Sequence, residues 1–129
     1  MKLEEVARVI DGKILIGEEK KDLEIDKAYA ADLLSDVLAL TEESTTLITG
    51  TVSPQVIRVA EILNIPAIIF VRGKKPTQKI LDYAKEAGIP IIATNKTMFE
   101  TCGILYSSGV RPCRNRPATN IHDDSRHCE

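Results

Sequence analysis

Apolar positions in this 129-residue chain change period several times, and each change marks an element. Leu3, Val6, Ala7 and Ile10 fall at i, i+3, i+4 and i+7, the spacing of one helical face, with Asp11-Gly12 as its stop. Residues 13–16 read as a short strand and the charged run 17–22 as a turn. Residues 23–30 read as a second strand, Asp32 as an N-cap, and 33–40 as a short helix. Residues 41–44 are a polar connection. Leu47-Ile48 is a brief buried strand, Thr49-Gly50-Thr51-Val52 the turn after it, and Ser53-Pro54 a helix start with Ser at the cap and Pro at the first helical position. Val56, Val59, Ala60 and Leu63 repeat the helical spacing. Residues 67–71 are apolar throughout, as a strand covered on both faces would be. Arg72-Gly73-Lys74-Lys75 leaves that strand, Pro76-Thr77 opens a helix, and Gly88 ends it. Residues 91–93 are the next buried strand. Thr94-Asn95-Lys96 then leads to a last helix carrying Met98, Cys102 and Leu105, which Ser107-Ser108-Gly109 closes.

Part of this pattern is a near-repeat. Ile65-Pro66 returns 24 residues later as Ile89-Pro90, and at the same offset Val56 matches Ile80, Ile57 matches Leu81 and Ala60 matches Ala84. Strands alternating with helices imply parallel pairing through right-handed crossovers. The short early strands are expected to add antiparallel or mixed pairing at one edge. The expected fold is a three-layer α/β/α sandwich on a mixed, largely parallel sheet of about five strands. Residues 1–109 form one domain in this reading. Residues 110–129 have no periodicity and, beyond Val110, a single large aliphatic residue, Ile121, so they read as an extended polar tail.

Composition narrows the function classes. Aromatics make up 4% of the chain and Trp is missing, so Val, Ile and Leu must fill the core. A net charge of −2 with both signs scattered argues against nucleic-acid binding through phosphate neutralisation. The apolar runs 65–71 and 89–93 are too short to span a bilayer, and Met1-Lys2-Leu3 leads into Glu4-Glu5 rather than an apolar leader. A cytoplasmic protein is therefore expected. Three cysteines give no disulfide framework. A core this small favours self-association, with a closed homodimer the commonest form.

Candidate chemistry gathers at one edge. In a parallel α/β sheet the strand C-termini open together, and three polar turns share that edge: Thr49, Gly50, Thr51 and Ser53; Arg72, Gly73, Lys74 and Lys75; Thr94, Asn95, Lys96 and Thr97. Helix N-termini follow them, and their free N–H groups and dipoles favour anions. The implied guest is a small phosphate- or carboxylate-bearing molecule. The plain alternative is that capped turns and solvated lysines are common on this edge of any α/β protein. No P-loop, dinucleotide fingerprint or nucleophile elbow occurs. Asp32 and Asp36 lie at i, i+4 without a third partner, and read as a cap and a solvated charge. Arg58 reads as a solvated or interface residue, and Cys102 as a small buried thiol. Cys113, His122, His127 and Cys128 have ligand chemistry, but their order and gaps match no standard zinc pattern, so no metal or other cofactor is expected. No base, nucleophile and oxyanion set can be assembled, so the chain does not read as an enzyme.

The run IIFVRGKKPTQKILDYAKEAGIPIIATNKTMFETCGILY resembles the N-terminal domain of bacterial HPr kinase/phosphorylase: a strand, an Arg-Gly turn, a Pro-started helix and an Ile-Pro strand ending in Thr. From Glu4 to about Gly109 the chain is similar to a stand-alone DRTGG domain protein, with AADLLSDVLA and LITGTVSPQVIRVAEILNIPAIIFVRGKKP carrying the likeness. That family includes domains within some phosphotransacetylases and beside CBS domains. The Asp-Arg-Thr-Gly-Gly string itself is missing, with Thr49-Gly50-Thr51-Val52-Ser53 as its nearest place, and no kinase domain is present. The resemblance implies a MurF/HPr-kinase N-domain-like fold and a non-catalytic regulatory or ligand-sensing role. The alternative it leaves open is an interaction module that acts through a homodimer or a partner protein, without a ligand.

Overall fold

The computed structural model describes residues 1–113 and sets a mixed six-stranded sheet between two helical layers. In chain order the elements are α1 (Leu3–Val9), β1 (Gly12–Ile16), a 3-10 turn (Glu18–Lys20), β2 (Lys27–Ala30), α2 (Leu34–Leu40), β3 (Thr46–Thr49), α3 (Pro54–Ile62), β4 (Ile68–Phe70), α4 (Gln78–Ala87), β5 (Ile91–Thr94), α5 (Met98–Ser107) and β6 (Arg111–Pro112). Across the sheet the order is β1-β5-β4-β3-β2-β6. The pairing is parallel except for β1, which runs antiparallel to β5 at the edge. This is the expected sandwich with one strand more.

Strand alternation decides the two faces of the core. Leu47, Ile68, Phe70 and Ile91 point to the layer of α2, α3 and α4, while Ile48, Ile69 and Ile92 point to α1 and α5. All seven are at most 2% exposed, and each such side chain withdrawn from water contributes about 1.5–3 kcal/mol. The near-repeat is real in three dimensions. Val56 and Ile80 are equivalent core residues of α3 and α4, as are Ala60 and Ala84, and Ile65 and Ile89 are buried at the entries to β4 and β5. Thr77 caps α4 by accepting from the Ile80 N–H at 3.3 Å, and Gly88 ends it in the left-handed conformation (φ 73°).

From β2 to β5 the chain advances one strand at a time in one direction, and α2, α3 and α4 all pack on the same face. Right-handed crossovers require this. After β5 the direction reverses: the chain returns past β4, β3 and β2 to β6, and α5 packs on the opposite face. The same handedness rule sends it there.

Four local expectations need correction. Residues 23–26 do not extend β2. They lie against the N-terminus, where the Leu3 N–H donates to Leu23 O (2.8 Å) and the Ile25 N–H to Met1 O (2.6 Å). Asp32 does not cap α2; Leu33 holds that position and makes no side-chain cap bond. Ser53 stands at the N-cap of α3 but its hydroxyl caps nothing, and Pro54 alone shapes the start. The folded body also continues past Gly109. Arg111 and Pro112 pair with Lys27 and Ala28, and Val110 and Cys113 are buried. The rest of the expected tail, with His122, His127 and Cys128, lies outside the described residues.

Candidate ligand site

The ends of β3, β4 and β5 lie side by side, Thr49 beside Phe70 and Phe70 beside Ala93, one residue before the end of β5, so the three polar turns emerge on one rim. Thr49 and Thr94 end their strands in the same way. Each hydroxyl accepts from the N–H two residues on, Thr51 at 3.1 Å and Lys96 at 3.2 Å, a local turn typical of this residue type. Each also donates, Thr49 to Asp32 Oδ1 (3.2 Å) and Thr94 to Ile10 O (2.7 Å). Both hydroxyls are spent on shaping the rim, and both residues are buried.

Between them the turn after β4 is strapped to the turn after β5. The Arg72 N–H donates to Lys96 O at 2.8 Å and the Gly73 N–H to Thr94 O at 2.9 Å. Both residues are left-handed, with φ of 63° and 69°. For Gly73 this is free of cost, whereas for Arg72 the crowding of Cβ on its carbonyl costs about 1–2 kcal/mol.

Asp32, at the exit of β2, joins the other pair of turns. Its Oδ1 accepts from the Gly50 N–H at 2.7 Å, its Oδ2 lies 3.9 Å from Arg72 Nη2, and its carbonyl accepts from Thr51 Oγ1 at 3.0 Å. The Arg72 guanidinium lies over Gly50: a Cβ there would stand 3.0 Å from Arg72 Cζ and Nε and would collide with Nη2. Glycine at 50 is what lets the guanidinium reach the carboxylate. The ion pair is half exposed and therefore adds little stability. What it fixes is the direction of Arg72.

Beside this bracket the rim opens into a hollow of about 240 Å³, lined by Lys13, Lys74, Lys75, Asn95 and the backbones of Gly12 and Gly73, with Asp11 and Thr94 also contributing. Its place follows from topology. The helix after β4 leaves toward one face and the helix after β5 toward the other, and that divergence opens a crevice at the strand ends. Antiparallel β1 starts there, Gly12 opposite Thr94, and so adds Lys13. Among the described residues none of the three lysines has a carboxylate within ion-pair distance. Three lysines against the single carboxylate of Asp11 give this crevice a positive potential.

Of the residues expected from sequence, Gly73, Lys74, Lys75, Thr94 and Asn95 line the hollow, and Thr49, Gly50, Thr51 and Arg72 form the bracket beside it. Thr97 belongs to α5 instead. Its hydroxyl accepts from the Glu100 N–H (3.2 Å) while its own N–H donates to Glu100 Oε1 (2.9 Å). That backbone bond first, then the Thr97 hydroxyl and Lys96, hold the Glu100 carboxyl below its usual range. The start of α5 thus already carries an anion of its own. Ser53 and Lys96 flank the rim without lining the hollow. Sequence reasoning missed Asp32 as rim residue and Lys13 altogether. The Asp11-Gly12 signal was legible as a helix stop, but nothing local shows which strand β1 joins.

A second hollow, of about 270 Å³, lies between α5 and the β2/β6 edge, over Ala28, Ala30 and Ile48 and beside Cys102, Tyr106 and Pro112. Burial pushes the Cys102 thiol up, so it stays protonated. It has apolar walls and no cluster of charge.

A model of the DRTGG domain matches residues 5–108. The chain belongs to the DRTGG domain family. Among solved structures, this DRTGG domain is similar to the CBS and DRTGG domains of the regulatory region of Clostridium perfringens pyrophosphatase, a complex with the activator diadenosine tetraphosphate. The two share 20% identity and a TM-score of 0.69 over 84% of this chain and 47% of that one. The DRTGG domain described here thus spans about half of that chain. At this identity the likeness establishes the shared fold. No functionally curated protein matches the chain.

Proposed function

We propose that this DRTGG domain is a non-catalytic regulatory module of the cytoplasm that binds a small anionic metabolite of the nucleotide class in the hollow between the turns after β4 and β5. The observation that carries this is the convergence of Lys13, Lys74 and Lys75 on a crevice made by the divergence of α4 and α5. The nucleotide activator in the pyrophosphatase regulatory region supports the ligand class. Calorimetric titration with ATP tests it: binding is expected in the unmodified protein and loss of binding in the Lys74→Ala/Lys75→Ala double variant. Retained affinity in that variant moves the ligand elsewhere, and no heat with any nucleotide or phosphorylated metabolite removes the reading.

A homodimeric interaction module is the second reading. Phe99 (89% exposed) and Tyr106 (64%) lie at i and i+7 on α5, with Gly103 between them, where an added Cβ would meet nothing within 4 Å. Large apolar side chains flanking a bare glycine suit a helix crossing at close range, and a two-fold axis near Gly103 would set Phe99 of one copy against Tyr106 of the other.

A further inference from the structure

We infer that the rim takes a ligand with at least two linked anionic groups, and that Asp32 occupies the second anionic position until such a ligand displaces it. The inference rests on the proposed lysine hollow and adds a neighbouring seat to it. That seat is built from two hydrogen-bond donors, the buried Gly50 N–H and the Thr49 hydroxyl, and from the Arg72 guanidinium, which faces the carboxylate as an ion pair at 3.9 Å. A carboxylate from the chain itself already fills it, at 2.7 Å from the Gly50 nitrogen. The geometry is that of an anion site, because an anion is bound there.

Two features distinguish this seat from an ordinary structural ion pair. Arg72 is held left-handed by bonds to the turn after β5, a costly conformation for a residue other than glycine. Its side chain meanwhile reaches the other way, across Gly50 to Asp32. Arg72-Gly73 thus stands between the seat on the β3 side and the hollow on the β5 side. The carboxylate is also within reach of solvent: the Asp32 and Arg72 side chains are 53% and 50% exposed, so their ion pair holds it weakly, and an incoming anion can take over the Gly50 N–H and Thr49 hydroxyl bonds as it leaves. Strands adjacent in a sheet lie about 4.8 Å apart, so the turns after β3 and β5 are separated by about 10 Å. A single phosphate can sit on one side of Arg72; a chain of phosphates can engage both. Arg72 and the glycine amide would then hold phosphate oxygens as they now hold the carboxylate.

Orthophosphate and tripolyphosphate, titrated calorimetrically into the unmodified protein and into Asp32→Asn, test this. Asparagine keeps an oxygen for the Gly50 N–H but removes the competing charge, so tripolyphosphate is expected to bind about tenfold tighter, or more, while orthophosphate affinity stays within about twofold. Asp32→Ser, expected to behave in the same way, covers the case in which Asp32→Asn fails to fold. Adding Arg72→Ala must abolish the gain. Tripolyphosphate binding that Lys74→Ala/Lys75→Ala removes but that neither Asp32 variant strengthens overturns the second seat and leaves the lysine hollow standing. No binding of either anion to any of these proteins overturns both. Equal strengthening of orthophosphate and tripolyphosphate overturns the two-seat geometry, because it shows only a general change in field.

Discussion

Arg72 lies across Gly50: the guanidinium carbon is 3.0 Å from where a side chain at 50 would begin. Gly50→Ala is therefore a clean probe of the bracket. The obstructing atoms are the tip of a half-exposed side chain, which can swing into solvent. Folding stability by urea denaturation is expected to change by less than about 1 kcal/mol. The displaced guanidinium can no longer face Asp32, so tripolyphosphate affinity should fall while orthophosphate affinity holds. A loss of several kcal/mol would mean that Arg72 is fixed more firmly than its exposure implies.

Arg72 carries a conformational cost with little local return. Asn tolerates the left-handed region better than Arg. Arg72→Asn is expected to leave stability unchanged or raise it by about 0.5–1 kcal/mol, while weakening anion binding. Denaturant midpoint and calorimetry on the same sample separate the two effects. A midpoint well below that of the unmodified protein would assign Arg72 a structural role.

Two phenylalanines should behave in opposite ways. Phe70 is fully buried in the central strand β4, so Phe70→Ala is expected to cost about 3–5 kcal/mol. Phe99 is 89% exposed, and Phe99→Ser should change monomer stability by less than about 0.5 kcal/mol. If α5 is a dimer face, sedimentation of Phe99→Ser will show the association weakened. Unchanged association, or a monomer at every concentration before mutation, removes α5 as the interface.

Acid should loosen the two helix starts that carry their own carboxylates. The Lys2 backbone N–H, above all, lowers the Glu5 pKa, as that of Thr97 does for Glu100. A carboxyl lowered on folding leaves the native state with fewer bound protons than the unfolded chain. Its contribution is present above the ordinary carboxylate range and is lost as pH falls through the native value. Glu100→Gln is expected to flatten the acid side of the stability–pH curve, read as melting temperature against pH. A curve parallel to that of the unmodified protein would mean the cap at α5 contributes nothing to acid sensitivity.

Most of the architecture was written locally. Helical spacing at Leu3, Val6, Ala7 and Ile10, Pro54 at the start of α3, Gly88 at the end of α4, and the unbroken apolar runs of β4 and β5 depend on near neighbours along the chain, so the elements could be read in order. The near-repeat even implied that α3 and α4 are equivalent. Asp32 shows the limit. A short polar residue before a helix has the same local appearance whether it caps that helix or reaches 18 residues ahead to the Gly50 amide, and the difference depends on β2 lying beside β3.

By itself, then, the amino-acid order determined that strands and helices alternate, that their polar turns follow the strand ends, and that those turns carry lysine, arginine and glycine. Tertiary structure alone decided that α5 crosses to the opposite face from α4, that β1 pairs antiparallel with β5 and brings Lys13 to the rim, and that Asp32 answers Arg72 across Gly50. The physical reason is range. Periodicity and caps report interactions within a turn or two of helix, whereas the hollow and its bracket are made by strands that meet only once the sheet has assembled.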